Sequence, residues 1–174
     1  AVYLSEYAKK DRRITRIIRL TADTLSGIPS IVYGLFGMLF FVVALGWGMS
    51  LIAGACTLAI MILPLIMRTS EDALRSVPVS DREAAFSLGA GKLRTICKVV
   101  LPSAAPGILS GVLAGIGKIV GESAALIYTA GVVAEIAKGK DFLFDSTRTL
   151  AVQLFVLAGE GIYENQAYGT AVML

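Results

Sequence analysis

Histidine is absent from all 174 residues, and cysteine occurs only twice. The first absence removes the commonest general base near neutral pH and the commonest zinc ligand. Cys56 lies in an apolar run and Cys97 in a basic one, settings too different to suggest a disulfide, so both read as free thiols. No cluster of metal ligands and no nucleophile–base pair stands out, which argues against a membrane enzyme, a bound metal or a cofactor. Charge is scarce too, at 17% of residues against about 25% in soluble domains. The scarcity is also local: no Asp, Glu, Lys or Arg occurs in the 44 residues between Asp23 and Arg68. That run has room for two membrane spans of about 20 residues each. As soluble helices they would have no polar face to show water. The chain reads as an all-α membrane protein.

The charge-free run contains its own break at "LGWGMS", Leu45 to Ser50, where two glycines around a tryptophan suit a tight turn with an interfacial aromatic. The expected spans are therefore 29–45 and 49–67. Pro29 suits a first helical turn, and Pro64 is a candidate kink near the end of the second span. A third apolar stretch is expected over 104–129. In it Gly107, Gly111 and Gly115 recur every four residues, as do Gly117 and Gly121, a spacing that lets helix backbones approach closely in lipid. The chain starts without Met, and its last ten uncharged residues, "NQAYGTAVML", make about half a span. A fragment of a larger polytopic bundle is expected, with about three full spans and the start of a fourth over 165–174.

Of the 16 basic residues, 12 fall in two segments: Lys9 to Arg19 before the first span, and Arg68 to Lys98 between the second and third. Two spans put both segments on one side, and the positive-inside rule makes that side cytoplasmic. The segment 130–164 then faces outward, with Glu135, Asp141, Asp145, Glu160 and Glu164 against Lys138, Lys140 and Arg148. The polybasic "KKDRRITRIIR" directly before a span suits anionic lipid headgroups. Without interleaved stacking aromatics it does not suit nucleic acid.

Within the expected cytoplasmic loop, 68–103, "SLGAGKLRT" invites comparison with a phosphate-binding loop. That motif requires glycine where Phe86 stands and a hydroxyl where Leu93 stands, so it fails at both ends. Ser80 and Glu83 instead have the spacing of a capping box that would open a helix. Gly89 is a candidate left-handed stop. A second helix is expected from near Lys92 to just before Pro102. The outcome is a knuckle of helix, glycine turn and helix.

"EAAFSLGAGKLRTICKVVLP" resembles the EAA motif of ABC-transporter permeases. Glu83-Ala84-Ala85, Gly89, Leu101 and Pro102 fall in place, and Val99 stands where the pattern has Ile. "SEYAKK", "GIPSIVYGLFG", "GESAALIYTAG" and "TLAVQLF" extend the resemblance, over nearly the whole chain, to the PstA-type permeases of phosphate importers. The sister PstC-type permeases share part of these signatures. The resemblance implies a MetI-like ABC-permease core in a bacterial inner membrane. It implies as partners a dimer of ATP-binding subunits, a second permease subunit and an extracytoplasmic phosphate-binding protein. It also implies an ATPase-coupling role for Glu83, Ala84, Ala85 and Gly89. Permeases for sulfate, molybdate or phosphonate are the nearest alternatives, and a non-transport membrane scaffold is the alternative of another class.

Lys118 and Glu122 are the only charges between Lys98 and Glu135. Counted from Pro106, Lys118 lies about 18 Å along the third span, near mid-membrane, where a charge is costly and faces a partner or a cavity. On one helix the two side chains would share a face and neutralise each other. Alternatively they line a phosphate path, with Ser123 and Thr129 adding hydroxyl donors and Arg148 a weaker outward candidate. Related permeases often carry arginine at the position of Lys118. Arginine grips phosphate in a bidentate fork, whereas lysine offers a point charge.

Overall fold

The computed structural model describes residues 1–8, 13–134, 142–161 and 163–174. The expectations placed on Lys9, Lys10, Arg12, Glu135, Lys138, Lys140 and Asp141, and on the Glu160 side chain, lie outside the described residues. Regular structure among the described residues is helical throughout. A single wide turn, Tyr3–Tyr7, precedes α1 (Arg13–Ser26) and α2 (Ser30–Gly37), and α2 continues as a π-type coil over Met38–Ala44. Next come α3 (Leu51–Ser76), α4 (Val79–Ser87), α5 (Lys92–Val120), α6 (Ala124–Thr129), α7 (Leu150–Glu160) and α8 (Glu164–Met173). The 26-residue α3 and the 29-residue α5 are each long and apolar enough to cross a membrane. α2 with its extension covers Ser30–Ala44, and meets that test only when taken together with α1.

The chain divides into two compact units. The first holds Ala1–Ser26 and Leu63–Ile116, and its core is Leu74, Val77, Val100 and Ala104, with Ala1, Val2, Ala73 and Ile108 packed around them. Within this unit α3 and α5 meet through small residues. A Cβ added to Gly107 would stand 2.8 Å from the Cβ of Ala73, and one added to Gly111 would collide with Thr69. The four-residue glycine spacing marks a true contact face at these two positions. It does not at Gly117, which has nothing within 4 Å, or at Gly121, which meets only the Gly117 carbonyl.

The second helix of the loop was expected to stop before Pro102, but α5 runs through Pro102 and Pro106. A π-type turn at Ile96–Val100, closed by Leu101 N donating to Ile96 O, lies directly ahead of Pro102. A wider turn relieves the i→i−4 pattern that a proline ring would otherwise obstruct. Pro64 likewise sits within an unbroken α3.

The second unit holds Gly27–Ile62 and Gly117–Leu174. Here the short α6 is gripped between α2 and the first turns of α3. A Cβ on Gly34 would lie 2.8 Å from the Ala125 Cα, one on Gly37 would collide with Thr57 and Thr129, and one on Gly54 would lie 2.9 Å from the Ala130 Cβ. The N-terminal amides of α3, which have no partner inside the helix, are met from the same unit. Ser50 N donates to Thr129 O and Leu51 N to Asp145 O, each at 3.0 Å, and Ala53 N donates to Ser50 Oγ at 3.3 Å. Trp47, in the turn ahead of α3, stacks on Phe41 at 5.5 Å and meets Phe144 edge-on at 6.4 Å.

Overpacking a filled interface typically costs about 1–3 kcal/mol. Gly34→Leu is therefore expected to lower the thermal midpoint of the purified protein in detergent, because the obstruction is backbone and cannot step aside. Gly117→Ala is expected to leave it unchanged.

Candidate functional site

The first unit carries the knuckle. Pro78, with φ −58° and ψ 143°, fixes an extended residue ahead of Val79, so α4 begins at Val79. Ser80 therefore lies inside the first turn and not at the cap, and its hydroxyl reaches only Asp81 Oδ1, at 3.4 Å. The capping box expected of Ser80 and Glu83 is not formed, and no side chain caps α4. Both Glu83 and Ala84 are exposed, while Ala85 turns inward and is buried.

The end of α4 is a Schellman motif: Ala90 N donates to Ala85 O at 3.1 Å and Gly89 N to Phe86 O at 2.9 Å. Gly89 takes φ +78°, a conformation that side chains with a Cβ adopt at a cost. Gly91 is extended and opens α5. Around this turn Phe86, Leu88 and Leu93 are exposed, Leu88 to 89%. A groove of about 500 Å³ runs between α4 and the start of α5, lined by Ala84, Leu88, Ala90 and Val99 together with Asp81 and Arg94. These apolar side chains lie among charged residues, outside the apolar stretches, and exposed patches of that kind mark protein contacts.

Behind the knuckle four of the basic residues are paired, which the reading of them as topogenic charge did not foresee. Glu71 is buried and holds Arg19 and Arg75, each at 2.7 Å. Arg68 meets Asp23 at 3.1 Å. Arg82, inside the motif stretch, holds Glu6 at 3.0 Å and donates to Leu74 O at 2.8 Å. Neither Arg82 nor Glu6 carries a local sequence signal, since the partners are 76 positions apart.

The second unit carries the candidate path residues. Lys118 is exposed in the last turn of α5. The helix ends at Val120, with Glu122 N donating to Ile119 O at 3.1 Å, so Lys118 and Glu122 do not share a helical face. Among the described residues no carboxylate lies within ion-pair distance of Lys118. The expected mutual neutralisation is thus corrected: the backbone breaks at 121–123, and Glu122 turns forward to accept from Ala125 N at 3.2 Å, at the head of α6.

Ser123 is half-buried and its carbonyl accepts from Leu126 and Ile127. Thr129 is fully buried and donates its hydroxyl to Ala125 O at 2.8 Å. Arg148 donates from Nη1 to Gln153 Oε1 at 2.7 Å and from Nε to Val132 O, tying the start of α7 to the segment after α6. Cys56 and Cys97 are both free thiols. Among the described residues no group of His, Cys, Asp and Glu is arranged to hold a metal ion.

The family model described as binding-protein-dependent transport system inner membrane component matches residues 1–159. The chain belongs to this family of transport permeases. The permease is 44% identical over 130 residues to the probable ABC transporter permease protein YqgI of Bacillus subtilis, a match covering 75% of this chain and 44% of that protein. It is 46% identical over 130 residues to the phosphate transport system permease protein PstA 2 of Mycobacterium bovis, and 42% identical over 131 residues to PstA 1 of Mycobacterium tuberculosis. Each of these two matches covers 75% of this chain and 42% of the relative. The permease thus spans less than half the length of the curated relatives it matches.

The two glycines of the knuckle should respond differently to a methyl group. Gly89→Ala places a Cβ in the left-handed region and is expected to cost about 1–2 kcal/mol. Gly91→Ala, at φ −68° with open space around it, is expected to be near neutral. Equilibrium unfolding of the purified permease in detergent distinguishes the two.

Proposed function

We propose that this chain is part of the transmembrane permease subunit of an ATP-driven inorganic phosphate importer. Its knuckle is the coupling element: Glu83, Ala84 and Gly89 lie on the surface that docks on one member of a dimer of ATP-binding subunits, and the buried Ala85 packs behind that surface. The observation that carries this reading is the exposed apolar tip of the knuckle, Phe86, Leu88 and Leu93, closed by the Schellman turn and flanked by the exposed Glu83 carboxylate, which has no ion-pair partner among the described residues. ATP hydrolysis takes place in those partner subunits. Motion at the knuckle drives the membrane helices between inward- and outward-open states. A second permease subunit completes the path, and an extracytoplasmic phosphate-binding protein delivers the anion.

Phosphate, among oxyanions, is favoured by the names of the PstA relatives and by the cation of Lys118, which has no ion-pair partner among the described residues. On this reading Lys118 supplies attraction to the anion, and Ser123 supplies a hydroxyl beside the helix break. Glu122, engaged at the head of α6, and Thr129, engaged with Ala125 O, shape the break that positions them. Arg148 holds the outward segment in place through Val132 and Gln153. A helix interrupted where it meets substrate is a recurrent device in transporters, because irregular backbone inside a membrane is tolerated only where it is buried in protein or lines a cavity.

Labelled phosphate uptake by the assembled full-length transporter tests this, with sulfate, molybdate and phosphonate as competitors. Phosphate alone should compete effectively. Lys118→Gln is expected to cut uptake by about tenfold or more, in line with the loss of one charged contact. Normal uptake in a folded Lys118→Gln protein removes that residue from the path. Glu83→Lys and Gly89→Asp are expected to abolish ATP-driven uptake while the partner subunits still bind nucleotide. Unchanged uptake in both overturns the coupling assignment.

A further inference from the structure

The turn Tyr3–Tyr7 is too short to be stable by itself, yet it is tied to four other elements of the first unit. Glu6 holds Arg82 of α4 at 3.0 Å, with only 9% of the glutamate side chain exposed. The same Arg82 nitrogen donates to Leu74 O, at the cytoplasmic end of α3. Lys92, the first residue of α5, places its ammonium 4.4 Å from the centre of the Tyr7 ring. The Leu4 carbonyl accepts from Arg19 of α1 at 3.2 Å, through the nitrogen that also meets Glu71. Leu4 itself is buried, and Ala1 and Val2 pack on the core formed by Leu74, Val77, Val100 and Ala104.

One turn therefore touches both arms of the knuckle, α4 through Arg82 and α5 through Lys92, and reaches α1 and α3 as well. Its contacts to the knuckle are charge-mediated at both points, and a partly buried charge separated from its partner is strongly penalised. The knuckle cannot move against α3 without either carrying the turn along or exposing Glu6 and Arg82 unpaired.

We propose that the Tyr3–Tyr7 turn is a mechanical link that carries displacement of the knuckle to α1 and to the end of α3, with Arg82–Glu6 as its joint. Arg82 is a positioning residue: it acts through the turn and touches neither nucleotide nor transported anion. The proposal rests on the coupling reading of the knuckle given above.

The test uses the full-length permease assembled with its ATP-binding subunits and binding protein in liposomes. It measures inorganic phosphate transported per ATP hydrolysed for Glu6→Gln, Arg82→Gln and the double variant. Each single change is expected to lower that ratio by about tenfold, and the double change to lower it no further, because one joint can be lost only once. A ratio within about twofold of wild type in a folded Glu6→Gln transporter, or losses that multiply in the double variant, overturns the link.

Hydrogen exchange on the wild-type complex gives a second reading that survives any failure of the variants to assemble. Between nucleotide-free and vanadate-trapped states, residues 3–8 and 79–88 should change protection together. A change at 79–88 with none at 3–8 overturns the link even when uptake is normal. Concerted exchange in a wild-type complex that imports no phosphate leaves the link standing and overturns the transport reading instead.

Discussion

Close approach of backbones at small residues is the constraint on which this structure depends. Lipid tails are as apolar as leucine, so two greasy helices in a membrane have no hydrophobic reason to prefer each other to solvent. Packing contacts must do what water exclusion does elsewhere. In the second unit Gly34 brings α2 onto the backbone of α6, and Gly37 and Gly54 let Thr57, Thr129, Leu126 and Ala130 pack closely beside it. In the first, Gly107 and Gly111 bring α5 onto Ala73 and Thr69 of α3. The large apolar side chains are left to face outward, as Leu39, Leu63, Leu109 and Leu113 do. Bulky residues such as Leu74, Val100 and Leu126 are buried as well, so the small residues set how near the helices come and larger ones fill the space beside them.

Charge obeys a separate logic in the first unit. Glu71 sits between two arginines, and Asp23 and Glu6 each hold one more. Basic residues there, expected from the sequence to act as topogenic signals, are also structural partners. Their acidic counterparts come from the N-terminal turn, α1 and α3, so the pairings bind together segments far apart in the chain. Exposed pairs such as Arg68–Asp23 contribute little to stability, whereas the buried Glu71 depends on its partners.

Much of this was legible in the sequence. The charge-free run announced membrane helices, the EAA spacing announced the permease family, and the four-residue glycine repeat located the α3–α5 contact at Gly107 and Gly111. Gly89 was legible as a stop because few other residues accept its conformation. What escaped depended on neighbours in space or on a competing backbone signal. The capping box at Ser80 and Glu83 lost to Pro78, which starts the helix earlier. The stop before Pro102 lost to a π turn that no residue type advertises. The pairing of Lys118 with Glu122 assumed an unbroken helix, and the break after Val120 separated them. Arg82 and Glu6, 76 positions apart, became partners only through the packing of α3 and α5 on the N-terminal residues.

The uninterrupted passage of α5 through its two prolines has a geometric consequence. The stretch Lys92–Ile116 lies within one unit and, at 1.5 Å per residue, measures about 37 Å. On the coupling role proposed for the knuckle, this stretch is a lever with its handle there. A tilt of about 10° at that handle swings the far end through about 6 Å, as much as one helical turn of travel. The wide turn at Ile96–Val100, four residues in from the handle, is a place where such a rod can yield, and it lies at the short end, where yielding loses the most stroke. Stiffness at those five residues therefore limits how much of an input at the knuckle arrives at the other end.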